Sequence, residues 1–158
     1  MQTPGRRPSQ PRRARKTRPL AHQLEALWGL TGQLAGISAL ILVLSTFMAW
    51  YSGDGGNGLT LSVIGWNTGS LGKLTFAIGL VVLALLVLRY FGIVLPASLP
   101  ESLVLIGLGI LATVFVLYRV FWVPLGIQPT GRGIGLWIAL LAALGIIVAG
   151  VLETADEL

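Results

Sequence analysis

The side chains of this chain that can act chemically are almost all cations, and they are unevenly placed. Of its 11 Lys and Arg residues, seven precede position 19: Arg6, Arg7, Arg12, Arg13, Arg15, Lys16 and Arg18. Such a cluster adheres to anionic lipid headgroups, at about 1 kcal/mol per basic residue near the surface, so these seven are candidate membrane-surface contacts. The competing reading is that they only set topology. The arm holds no aromatic side chain to stack on bases, so specific nucleic-acid recognition is not expected.

Covalent and acid–base chemistry find little material. The absence of cysteine removes disulfides, thiolate metal sites and thiol nucleophiles. His22 is the single imidazole and reads as a solvated interfacial residue. Asp54 and Asn57 sit among glycines as in a calcium-binding turn, but one carboxylate is too few for a cation that wants six to eight oxygens. Neither Asn57 nor Asn67 opens a glycosylation sequon, because Leu59 and Gly69 occupy the position two residues on. No catalytic, cofactor-binding or metal-ligating residue is expected, and the chain reads as a non-enzyme. Arg119 stands apart: it ends an apolar run on the flank of the Ala112 and Val116 face. It is expected to snorkel to the interface from a helix end; the alternative is that it contacts an anion or headgroup, or pairs with Asp54. Arg89 reads as a snorkelling residue at a helix end.

The elements that position these groups are apolar. With 54% hydrophobic and 11% charged residues and a mean hydropathy of +0.83, the chain could not cover itself with polar surface in water. Four continuous runs, 34–50, 74–95, 103–119 and 134–152, come near the roughly 17 to 25 residues needed to cross a bilayer. Pro100 and Pro124 bound the third. The expected fold is an all-α membrane protein, a four-helix transmembrane bundle. A disordered basic arm over 1–19 precedes it, then an interfacial amphipathic helix or helix extension over 20–33. A short hairpin-like outer loop and an acidic tail over 153–158 complete the chain.

Basic residues near spans stay in the cytoplasm, which puts the arm and, after four crossings, the C-terminus inside. Eight basic residues then lie inside and three (Lys73, Arg119, Arg132) outside. Without the arm the count is one against three, so the arm carries the orientation. A cleaved signal peptide fits poorly, because the run is longer than a usual signal core and Met48-Ala49-Trp50-Tyr51 lacks the two small residues a signal peptidase prefers. A twin-arginine signal fits worse, since residues 20–33 separate the arginines from the apolar run.

In the outer loop, Leu59, Leu61 and Val63 alternate with Thr60 and Ser62, the period of a half-buried strand, with glycines on both sides. Trp50, Tyr51, Trp66, Trp122 and Trp137 read as interfacial anchors. Small residues mark close helix contacts in lipid. Gly135, Ala139, Ala142 and Ala149 share one face of the last span, interrupted by Ile146, while Trp137, Leu140, Leu144, Val148 and Val151 share the other. Gly29, Gly32, Gly36 and Ala39 make a stripe in the first span, and Gly109, Ala112 and Val116 a shorter one in the third.

The outer segment Gly65-Trp66-Asn67-Thr68-Gly69 leading to Gly72-Lys73-Leu74, and the final Gly135-Leu136-Trp137-Ile138-Ala139-Leu140-Leu141-Ala142-Ala143-Leu144-Gly145, resemble small uncharacterised four-span integral membrane proteins of high-GC Gram-positive bacteria. The resemblance covers most of residues 34–152 and implies a bacterial plasma membrane, but no activity. The expected role is an accessory or scaffolding subunit whose partners are anionic lipid and a membrane protein or further copies of itself. A self-assembling pore or small transporter is the alternative. It would need Ser38, Ser45, Thr46, Thr75 and Thr113 as its polar lining.

Overall fold

The structure, a computed structural model, describes residues 18–54, 60–91, 100–123 and 131–157. Arg6, Arg7, Arg12, Arg13, Arg15 and Lys16 of the basic arm, and Pro124, lie outside the described residues. The chain runs α1 (Arg18–Ser45), β1 (Ala49–Asp54), β2 (Thr60–Ile64), a 3-10 turn (Gly65–Thr68), α2 (Ser70–Tyr90), α3 (Glu101–Phe121), β3 (Gly131–Arg132) and α4 (Ile134–Glu157). Three helices are long and apolar enough to cross a membrane: Ser70–Tyr90, Glu101–Phe121 and Ile134–Ala155, with mean hydropathies of 2.5, 2.3 and 2.6. In α1 the corresponding apolar stretch, Gly29–Ser45, is shorter.

Several boundaries differ from the sequence reading, each for a local reason. The first apolar run was expected to stay helical to Trp50, yet α1 ends at Ser45. There the Ser45 and Thr46 hydroxyls donate to the Leu42 and Val43 carbonyls, both at 2.6 Å. The amides of Thr46, Phe47 and Met48 bond three residues back, which tightens the last turn and releases the chain into β1. Helix α1 also begins at Arg18, with no break between the segment over 20–33 and the apolar run. Helix α2 starts at Ser70, four residues before the apolar run, because Gly69 takes a φ of +104° and turns the chain into the helix. The expected acidic tail from 153 is instead the last turn of α4, which stays helical to Glu157.

The helices pack in a ring, α2–α1–α4–α3, with every neighbour antiparallel. Of its three longest apolar helices α4 is the most buried, 44% of its apolar stretch against 28% for α2 and α3. Its contacts with α3 and α1 are the most extensive, and the α2–α3 seam is the thinnest. Glycines set the closest approaches. A Cβ on Gly109 of α3 would stand 2.7 Å from Ile147 Cγ1 of α4, and one on Gly150 of α4 would stand 2.8 Å from Ile106 Cγ1 of α3. Each helix thus lays an isoleucine over the other's glycine. Gly79 of α2 receives Val43 of α1 in the same way, at 2.7 Å.

The sheet caps one end of the bundle in the order β2-β1-β3, all antiparallel. Its register slips between Ala49 and Tyr51, which leaves Trp50 as an extra residue on β1. Successive strand residues normally face opposite ways, but this bulge lets Trp50 and Tyr51 both bury completely. The reading of Trp50 and Tyr51 as interfacial anchors is therefore corrected. Trp50 donates from Nε1 to the Ser45 carbonyl at 2.8 Å, and its ring lies over Gly65, where a Cβ would be only 2.5 Å away. Trp66 is half-buried in a cluster with Phe47 and Phe76, with the Lys73 ammonium 5.7 Å from its ring centre. Trp122 and Trp137 are exposed.

Candidate functional site

Two charged sites lie at opposite ends of the bundle. At the end where α4 finishes, Arg89 of α2 meets Glu101 of α3 and Glu153 of α4. Arg89 Nη1 is 3.5 Å from Glu101 Oε1 and donates a short hydrogen bond to Glu153 Oε1. Glu153 is buried, whereas the Arg89 side chain keeps 31% exposure. Snorkelling is therefore not what Arg89 does: one guanidinium ties three helix ends. Glu101, in the first turn of α3, also faces the positive end of that helix. Because an arginine stays protonated, the triad acts as a fixed electrostatic clamp and not as a proton relay.

The sequence gives no local sign of the clamp, since Arg89 reads as a snorkelling residue and Glu153 falls in an acidic tail. An up-down topology sends residue 89, residue 101 and residue 153 to the same end of the bundle, and that was the available signal. Two carboxylates and one arginine at one level are a matched set.

At the sheet end, Arg119 sits in the last turn of α3 and is only 8% exposed. Its Nε is buried and has no hydrogen-bond partner among the described residues. The Asp54 side chain lies outside the described residues, and no described carboxylate forms an ion pair with Arg119. Gly69 is exposed and covers the other end of the guanidinium, where a Cβ would stand 3.1 Å from Nη2. The Tyr51 hydroxyl donates to the Arg119 carbonyl at 2.5 Å, pinning the end of α3 to β1. Next to it, Arg132 Nε donates to the Val120 carbonyl at 2.7 Å.

Burial pushes the Tyr51 phenol above its ordinary 10.0, against the opposing pull of Arg119 and Arg132. The folded state then holds this proton more tightly than the unfolded state does. Its contribution is complete below pH 10.0 and is lost as pH rises from there through the raised folded value. Tyr51→Phe should cost about 1 kcal/mol at neutral pH through the lost hydrogen bond. It should also flatten the alkaline fall in stability, read from melting curves between pH 8 and 11. An alkaline limb of unchanged steepness in Tyr51→Phe would assign it to another group.

The remaining sequence candidates are helix-packing residues. Ala39, Ala112, Ala139, Ala142 and Ala149 are buried, as is Ile146 within the last series. Gly109 and Gly135 are buried too. Gly36 is half-buried, with a Cβ position 3.7 Å from Leu86 Cδ1. Gly29 and Gly32 face open space, so the α1 stripe begins only at Gly36. The buried face of α1 is instead Thr31, Ala35, Ser38, Ala39 and Leu42, a face turned by one position from the glycine stripe that shares only Ala39 with it. Trp137, Leu144, Val148 and Val151 of α4 are exposed. No protein-family model matches the sequence, and no curated protein or solved structure matches it.

Proposed function

We propose that the protein is a four-span integral membrane protein of the bacterial plasma membrane, acting as an accessory or scaffolding subunit through its helix faces and basic arm. The reading of α1 as a fourth span rests on its pairing with α4. Leu30 and Leu34 line one groove with Leu152 and Ala155 towards one end, and Ser38 and Ile41 line another with Ile138, Leu141 and Ala142 towards the other, so the described part of α1 runs along α4. Both termini then share one side, and the arm's charge places that side in the cytoplasm.

The observation that favours a scaffold over a pore is the state of the hydroxyls. Of the five hydroxyls in question, Ser45, Thr46, Thr75 and Thr113 each donate to a carbonyl three or four residues back, and Ser38 is buried against Gly145 of α4. Their protons are committed locally, which leaves only the oxygen lone pairs to face a path. The ring interior is filled by Ala39, Leu42, Val82, Leu105, Val116, Ala143 and Ile146.

Cross-linking in the native membrane, recovery in mild detergent and mass spectrometry would test the role. A fixed ratio to a different membrane protein is the expected result. Recovery of this chain alone, with ion flux in liposomes, would replace the scaffold by the pore. Orientation has its own test, because a chain with no cysteine accepts single labels at 2, 67 and 158. Residues 2 and 158 should be protected from an impermeant thiol reagent in intact cells and residue 67 reactive.

A further inference from the structure

A buried guanidinium with an unsatisfied N–H is costly unless something anionic answers it. Glu153 answers Arg89 at one end of the bundle; at the other end no described residue answers Arg119. The cover over this guanidinium is thin, a glycine backbone against Nη2. Gly69, exposed and with a positive φ, presents no side chain above Nη2. Arg132 lies on the adjoining strand, and the Tyr51 hydroxyl fixes the backbone that carries the site. Beside it the thin α2–α3 seam opens into an apolar groove of about 380 Å³, lined by Leu71, Val114, Phe115 and Tyr118. Phe115 is one helical turn from Arg119, and Leu71 is two residues from Gly69, so the groove ends at the arginine.

We propose that Arg119 is the floor of an anion site that takes a phosphate group between the N-terminus of α2 and the C-terminus of α3. A guanidinium fork matches a phosphate better than a point charge does. The α2 N-terminus adds the favourable end of a helix dipole and the C-terminal end of α3 opposes it, so the guanidinium carries the site. The group has two sources, a free phosphate or a phospholipid whose acyl chain lies in the adjoining groove. The lipid source rests on the membrane reading and the free anion does not, so the two can fail separately.

The test uses the full chain in detergent micelles, wild type beside Arg119→Met and Arg119→Lys. One arm adds phosphatidylglycerol carrying a photoreactive acyl chain and maps adducts by mass spectrometry, with a diacylglycerol carrying the same chain and no phosphate as the reference lipid. The other arm follows melting temperature against inorganic phosphate. All variants keep the basic arm, so its own lipid attraction cancels. For the lipid source, adducts in Leu71 and Val114–Tyr118 should exceed the diacylglycerol level about tenfold in wild type and fall to it in Arg119→Met. Arg119→Lys should lie between. For the free-anion source, phosphate should raise the wild-type melting temperature and leave that of Arg119→Met unmoved.

Arg119→Met removes an unanswered buried charge and should fold at least as well as wild type. If it does not, Arg119→Gln supplies the comparison. Equal labelling and equal phosphate response in wild type and the uncharged variant would overturn the proposal.

Discussion

Arg89→Met is expected to destabilise the bundle by about 3 kcal/mol, and Glu153→Gln by only about 1 kcal/mol. The asymmetry follows from the geometry of the clamp. Removing the arginine strands Glu153, which is buried and whose partner among the described residues is Arg89. Removing Glu153 leaves Arg89 beside Glu101 with nearly a third of its side chain in contact with the surroundings. The Arg89→Met/Glu153→Leu double variant exchanges a buried ion pair for apolar contact and should recover most of the loss. Unfolding in mixed detergent micelles, followed by circular dichroism, measures all three. Equal effects of the two single variants would mean that the charges only decorate the helix ends.

A second large effect is expected at the reciprocal glycines of the α3–α4 seam. Gly109→Leu and Gly150→Leu would each drive a side chain into an isoleucine and into the facing backbone. The Ile147 amide nitrogen lies 3.0 Å from the Gly109 Cβ position, and the Ile106 nitrogen and Ser102 oxygen both lie 3.1 Å from that of Gly150. Backbone cannot step aside as a rotamer can, so each change should cost about 3 kcal/mol, the upper part of the range for overpacked cores. Gly107→Leu, on the same helix with open space around it, is the control. It should stay within about 0.5 kcal/mol of the parent or gain from better helix propensity. If Gly107→Leu were as damaging as Gly109→Leu, the seam would not be the cause.

What could be read from residues alone follows a physical division. Helical content is written in local terms, since long apolar runs leave lipid-compatible helices as the economical way to satisfy the backbone, and α2, α3 and α4 are long apolar helices. The period-two alternation at 60–63 lies in β2. Partnerships are non-local and were harder. β1 hides in the end of an apolar run, because Trp50 and Tyr51 have the same composition whether they anchor in headgroups or bury under a sheet. Only the bulge and the bare surface of Gly65 distinguish the two. β3 is two residues long and has no pattern at all. The pairing of Arg89 with Glu153 spans 64 positions, and spacing within one helix carries no trace of it.

Helix contacts divide similarly. An alanine series such as Ala139, Ala142 and Ala149 is visible by periodicity, whereas Gly79, Gly145 and Gly150 are isolated glycines among large residues. What marks them is the side chain across the seam: Val43, Ser38 and Ile106 respectively.

The strand order β2-β1-β3 also imposes a sequence of events in time. During synthesis β1 and its hairpin partner β2 are made together, but β3 follows only 77 residues after Asp54 (131 minus 54). At translation rates of about 5 to 20 residues per second, one edge of the central strand waits roughly 4 to 15 s for its neighbour. Throughout that interval the edge is a template for any other unpaired strand. The last two residues to join the sheet also lead directly into α4, the helix around which the ring is packed. Arrival of Gly131–Arg132 therefore closes the open edge as the central helix is delivered. A ribosome stalled before residue 131 would leave a nascent chain with both an unfilled ring and a sticky strand, a species that membrane quality control has reason to recognise.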